Sequence, residues 1–251
     1  MRVAAIQFCP TFQDIVGNLK RLSALVVEAA DNGAEIIVMP ELALSGYSMM
    51  SREEAEPMAE VITEEPPNNS SMRVFRFLAN LHGVHLAWGL IEKDVGTGNL
   101  HNTQVFMCPD GTFEHHRKVN FFGNDWLWAT EGRANPPIRK VVDRSGKTWK
   151  VGLLVCRDVR DKKDDAWSDF YEVGEADVVC LSANWGNGGF PATAWMEFVK
   201  ENNSALIVSN RYGVETPNNF GEGGVCVISR DGQVQCDGLS WGQDCIVYGV
   251  V

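Results

Sequence analysis

Basic residues are scarce in this 251-residue chain: 22 Lys and Arg stand against 33 Asp and Glu, a net charge of −11. That deficit excludes the clustered cationic surface on which phosphate-backbone binding depends, so nucleic acid is not an expected partner. Long apolar runs are also missing. No stretch approaches the roughly 18 residues that a bilayer-crossing helix needs, and Met1 to Gln7 lacks the apolar core of a signal peptide. No membrane association is expected. Seven cysteines, an odd number with no CxxC spacing, argue against a disulfide framework or zinc ribbon and favour a reducing, cytoplasmic setting. Histidine is represented five times, with no HExxH or other metal-ligand spacing.

What is present suits a globular protein. Hydrophobic residues make up 45% and charged residues 22%, and the length can bury one sizeable core, so residues 1–251 are expected to form a single domain. Two periods alternate along the chain. Short apolar strands are expected at Arg2 to Phe8, Glu35 to Met39, Val84 to Ile91, Val151 to Val155, Ala176 to Leu181 and Ala205 to Ser209. Helical spacing runs over Leu19 to Ala29, Met72 to Leu81, Trp167 to Val173 and Ala192 to Asn202. Asn102 to Cys108 and Phe113 to Val119 flank Pro109-Asp110-Gly111 as a hairpin. The tail from Gly224 to Val250 closes as strands, Asn120 to Pro137 breaks periodicity as a loop, and Glu53 to Glu65 is expected to be solvated. Strands mixed with helices throughout imply a layered α/β or α+β fold.

The chemistry depends on which thiol is special. Cys156 stands where the apolar strand Val151 to Val155 opens into Arg157-Asp158, an address typical of α/β active-site edges. Cys9 has a similar address but precedes Pro10, and Cys108, Cys180, Cys226 and Cys245 are embedded in apolar strands. A thiol needs a base or a cationic neighbour to act as a nucleophile near neutral pH. No histidine is well placed, but Glu41 follows a buried strand and Lys118 lies among apolar neighbours. A buried glutamate can take the thiol proton, and a fixed ammonium can stabilise an oxyanion.

Three segments then make a specific pattern. Pro40-Glu41-Leu42-Ala43-Leu44-Ser45-Gly46-Tyr47, Arg117-Lys118-Val119 and Gly152 to Asp158 resemble, in order and spacing, the glutamate, lysine and cysteine motifs of the nitrilase superfamily of carbon–nitrogen hydrolases. Flanking marks agree: Ala4-Ala5-Ile6-Gln7, Asn184-Trp185 and Ser209 to Gly213 fall in the family's order. The resemblance covers essentially the whole chain. It implies a four-layer α-β-β-α sandwich, commonly paired into a homodimer or higher homo-oligomer, and a reaction needing no metal or organic cofactor. Glu41 would be the base, Cys156 the nucleophile, and Lys118 with the backbone N–H of Arg157 the oxyanion site.

The sequence departs from the family in informative places. A second glutamate common in the family falls on Asp125, one methylene shorter, with Glu131 as the alternative if the loop aligns differently. Arg157-Asp158 follows the cysteine where true nitrilases tend to have Trp-Glu, which favours a small linear amide or N-carbamoyl compound over a nitrile. Tyr47, Arg160, Asn184 and Trp185 are the expected substrate contacts. Arg157, Arg160 and Arg211 are candidate clamps for a carboxylate, since guanidinium binds carboxylate in a bidentate fork. A nitrilase and an N-acyltransferase of the same fold stay open as alternatives, and the replaced glutamate, with the absence after Arg160 of the F-P-E found in many amidase branches, leaves room for a catalytically weak binding or assembly member.

Overall fold

Alternation along the first strand sets the layering. In β1 (Arg2–Gln7), Val3 and Ala5 face one way, Ala4 and Ile6 the other, and all four are fully buried. A strand covered on both faces lies between two layers. The computed structural model describes residues 1–133, 135–160, 175–186 and 189–251. The expected helix at Trp167 to Val173 and the loop Asp161 to Trp167 fall outside them.

The elements follow β1 in chain order. They are α1 (Ile15–Asp31), β2 (Ile36–Val38), α2 (Arg52–Ala55), α3 (Ser71–His82), β3 (His85–Lys93), β4 (Leu100–Met107), β5 (Phe113–Arg117), α4 (Asp125–Trp128), β6 (Ile138–Val142) and β7 (Thr148–Val155). Next come β8 (Val178–Ser182), α5 (Thr193–Asn202), β9 (Ala205–Ser209), β10 (Val214–Glu215), β11 (Asn218–Asn219), β12 (Cys226–Ile228), β13 (Val234–Gln235) and β14 (Cys245–Val250). Two six-stranded sheets result, ordered β14-β1-β2-β3-β4-β5 and β13-β12-β9-β8-β7-β6. Their centres are parallel, β1 with β2 and β3, and β7 with β8 and β9.

The sheets face each other across Val3, Ala5, Ile36, Val38 and Phe106 on one side and Val151, Leu153, Val178, Cys180 and Ile207 on the other. Helices α1 and α3 cover the first sheet through Leu22, Val26, Met72 and Phe75. Helix α5 covers the second through Trp195, Phe198 and Val199. This is the expected α-β-β-α order. Helix α3 is well terminated: Ser70 caps its start, and Gly83 at its end takes the left-handed conformation that glycine tolerates without Cβ strain.

Some expectations need correction. The loop Asn120 to Pro137 contains the single turn α4, and β6 forms where no strand was expected. In this edge strand Arg139-Lys140 separate Ile138 from Val141-Val142, so its apolar residues make neither a continuous run nor a strict alternation. Lys118 stands one residue beyond β5, although its N–H still donates to Asn102 O at 2.8 Å. The acidic stretch is not wholly solvated, because Glu60 accepts from the backbone N–H and hydroxyl of Ser71 at 2.9 and 3.0 Å, at the start of α3.

The parallel centres aim their carboxyl ends the same way. Glu41 follows β2, Cys156 follows β7 and Asn184 follows β8, all at that end. Polar ties join the sheets there: Ser182 Oγ donates to Met39 O at 2.7 Å, and Gln104 Nε2 donates to Ser182 Oγ at 2.7 Å. The deeper interface is apolar.

Candidate active site

Four of the expected residues meet at the carboxyl ends of the facing sheets. Lys118 Nζ donates to Glu41 Oε1 at 2.7 Å and to Asp125 Oδ2 at 2.6 Å, and none of the three side chains is exposed. Asn102, on β4, bridges the same two carboxylates, its Nδ2 donating to Glu41 Oε1 at 2.7 Å and Asp125 Oδ1 at 3.0 Å. The backbone N–H of Asn184 donates to Glu41 Oε2 at 2.9 Å, and that of Phe122 to Asp125 Oδ2 at 3.0 Å. Of the two acids expected in this loop, Asp125 lies in the cluster, and among the described residues no hydrogen bond or ion pair joins Glu131 to it. A charge buried without partners would cost several kcal/mol, and here each has an opposite charge and further hydrogen bonds.

Cys156 arrives from the second sheet in a left-handed backbone conformation, φ +48°, uncommon for a residue with a side chain. Leu42, next to Glu41, shares that φ. Such strain concentrates where surrounding structure fixes a functional geometry. Burial pushes the Cys156 thiol well above its usual range, and the neighbouring carboxylate of Glu41 adds to this, while Lys118 and the Asn184 N–H pull it down less strongly. The Lys118 charge thus favours the thiolate without outweighing burial, and the thiol keeps its proton until a base takes it. Burial also raises the Glu41 carboxyl, against the pull of Lys118 and with a push from Asp125. Burial opposes the Lys118 charge, but Asp125 and Glu41 outweigh it and raise Lys118 well above the ordinary range, so it stays an ammonium.

A cavity of about 270 Å³ opens on Cys156. Tyr47, Phe122, Trp185 and Phe220 give it aromatic walls, and Arg157, Arg160, Asn184, Asn218 and Asn219 supply polar groups. All the expected contact residues thus lie on it. The Tyr47 hydroxyl donates to Phe122 O, and the Arg160 guanidinium lies 5.2 Å from the centre of the Trp185 ring. Both polar atoms of the Asn184 side chain are buried without a hydrogen-bond partner among the described residues.

The third candidate clamp and the tryptophans other than Trp185 near the site are placed elsewhere. Arg211 is fully buried, pairs with Glu215 at 3.1 Å and covers the Phe220 ring at 4.2 Å, so it braces the pocket wall and is not a clamp. Trp126 is exposed, Trp128 packs in a satellite core, and Trp195 stands edge-on behind Trp185. Asn102, Glu215, Asn218 and Phe220 escaped sequence reading. Only Asn102 carried a signal, as an amide inside a strand, where asparagine is depleted. Among the described residues no cluster of three or more His, Cys, Asp or Glu side chains is arranged to hold a metal.

Fold and site together define an α-β-β-α sandwich of the nitrilase superfamily, with a carboxylate, a lysine and a thiol where the two sheets meet. Within that class the chain belongs to the carbon-nitrogen hydrolase family, whose sequence profile matches residues 2–250. It is similar to a nitrilase of Pyrococcus abyssi, 30% identical over 158 residues, covering 63% of this chain and 56% of that protein. It is also similar to the omega-amidase NIT2 of Danio rerio, 33% identical over 147 residues, covering 57% of this chain and 50% of the other. The chain thus spans about half the length of these curated relatives. Among solved structures, an amidase from Nesterenkonia sp. AN1 superimposes with a TM-score of 0.77 at 20% identity, covering 100% of this chain and 93% of that one. That amidase was captured with acrylamide added to its active-site cysteine.

Proposed function

We propose that the protein is a hydrolase of small linear amides or N-carbamoyl compounds, acting through a thioester on Cys156. One observation carries this: the Lys118 ammonium is fixed between Glu41 and Asp125 beside a buried thiol that opens on a cavity. Glu41 takes the Cys156 proton as sulfur attacks the carbonyl carbon, and the oxyanion is met by Lys118 and the backbone N–H of Arg157. Glu41 returns the proton to the departing ammonia or amine, leaving a thioester. Water, deprotonated by Glu41, then attacks the thioester carbon, releasing the acid and restoring the thiol. Arg160, Asn184, Trp185 and Tyr47 surround the substrate. Family resemblance supports a working homo-oligomer, which sedimentation velocity would read as a mass twice that of the chain or more.

The deciding experiment measures ammonia release from amides, N-carbamoyl compounds and nitriles. Amide or carbamoyl turnover that disappears in Cys156→Ala but persists in Cys9→Ala is expected. Turnover of nitriles alone would replace the reading with a nitrilase. Product mass shifted by an added amine would make the protein an acyltransferase, and inertness across the panel would leave a binding member. In Glu41→Gln the rate is expected to fall about 10²- to 10⁴-fold, the usual worth of a general base.

A further inference from the structure

Behind the reacting groups lies a second buried pair that the proposed mechanism does not use. Asp158 and His116 are both buried, with His116 Nε2 at 3.0 Å from Asp158 Oδ2. The Asp158 carboxylate also reaches both catalytic segments. Its Oδ1 accepts from the N–H groups of Val119 and Asn120, just after Lys118, at 3.2 and 2.8 Å. Its Oδ2 accepts from the N–H of Val155, just before Cys156, at 3.2 Å. With three backbone N–H groups aimed at it, the carboxylate accepts from the imidazole too, so His116 Nε2 donates. His116 and Lys118 are two residues apart at the end of β5, which puts them on one face of the strand, toward the second sheet.

We infer that Asp158, oriented by His116, is a positioning group that sets the Cys156 turn against Lys118. The inference rests on the proposed reaction only for what is positioned. One carboxylate grips the backbone on both sides of the inter-sheet gap, and the strained φ of Cys156 begins one residue from the N–H it holds. Loss of that grip lets the turn relax and the sulfur shift relative to Lys118. A displacement of about 1 Å at a reacting atom costs about 10²-fold in rate, with little effect on binding.

The substitutions divide the contacts. Asp158→Asn keeps an acceptor for Val119 and Asn120 but turns an N–H toward Val155 and His116, releasing the cysteine side. His116→Phe removes the imidazole donor, and His116→Gln restores an amide donor. Two measurements run in parallel: kcat and KM on an amide found by the screen, and the rate of Cys156 alkylation by iodoacetamide followed by peptide mass spectrometry. Asp158→Asn and His116→Phe are expected to lower kcat about 10²-fold with KM changed less than about twofold, and to slow alkylation similarly. His116→Gln should recover most of both rates. Unchanged kcat and alkylation in His116→Phe would overturn the inference, as would equal losses in His116→Phe and His116→Gln. If Asp158→Asn does not fold, the two His116 variants decide alone. If no amide is turned over, the hydrolase reading fails, and the alkylation rates still decide the role of the pair.

Discussion

Lys118 is the residue whose removal isolates the most charge. Lys118→Met leaves Glu41 and Asp125 facing each other in a buried site bridged only by Asn102, and breaking a buried pair from one side costs about 3–5 kcal/mol. A urea titration should show that loss as a lower midpoint at unchanged slope. The carboxylates also govern the pH profile. Burial raises Glu41 above its ordinary 4.5, so the base form is lost as pH falls through a value above 4.5, and the acid limb of kcat/KM should lie there. Asp125 contributes to that rise, so in Asp125→Asn the limb should move to lower pH even as the rate drops. A limb unmoved by that substitution would assign the titration to another group. Glu41, Lys118 and Cys156 were legible because each sits in a short motif. Asn102 and Asp158 were not, since their roles exist only once segments 61 and 39 residues distant are brought together.

At the scale of elements, the carboxyl end of β2 depends on a strand that carries no reacting group. A Cβ built on Gly89 of β3 would come within 2.4 Å of Leu42 N and 2.7 Å of Glu41 Cα. Backbone lies on both sides of that contact, and a side chain cannot rotate away from it. Gly89→Ala is therefore expected to cost about 1–3 kcal/mol and to lower kcat by displacing Glu41, read by thermal melting beside steady-state rates. Normal turnover in a folded Gly89→Ala protein would show that the glutamate loop can retreat. Legibility followed burial. The twice-covered strands β7, β8 and β9 stood out as continuous apolar runs, whereas β6 is covered on one face and follows directly on Pro136-Pro137. The turn α4 was hidden for a different reason: four residues are too few to show a helical period.

At the scale of the whole molecule, buried histidines contribute to the response to mild acid. Burial pushes His85 down from 6.5 to about 4, and His101 and His115 are lowered chiefly for the same reason. His85 stacks on the Phe106 ring at 5.5 Å, and its Nδ1 has no hydrogen-bond partner among the described residues. Between 6.5 and about 4 the unfolded chain binds a proton at this site that the folded chain refuses, so stability falls as pH is lowered through that window. The His85 share is about 3 kcal/mol at most. Melting temperatures from pH 7 to pH 4 should fall, and His85→Gln should flatten the slope; identical slopes would place the sensitivity elsewhere.

The two sheets divide the site between them, with Glu41, Asn102, Lys118 and Asp125 on one side and Cys156 and Asn184 on the other. The first sheet is closed by β14, the last strand in the described chain, which pairs with β1 along its whole length. The cluster is thus a property of the docked sheets and of neither one alone: a slip of one against the other parts the Asn184 N–H from Glu41 and carries Cys156 away from Lys118.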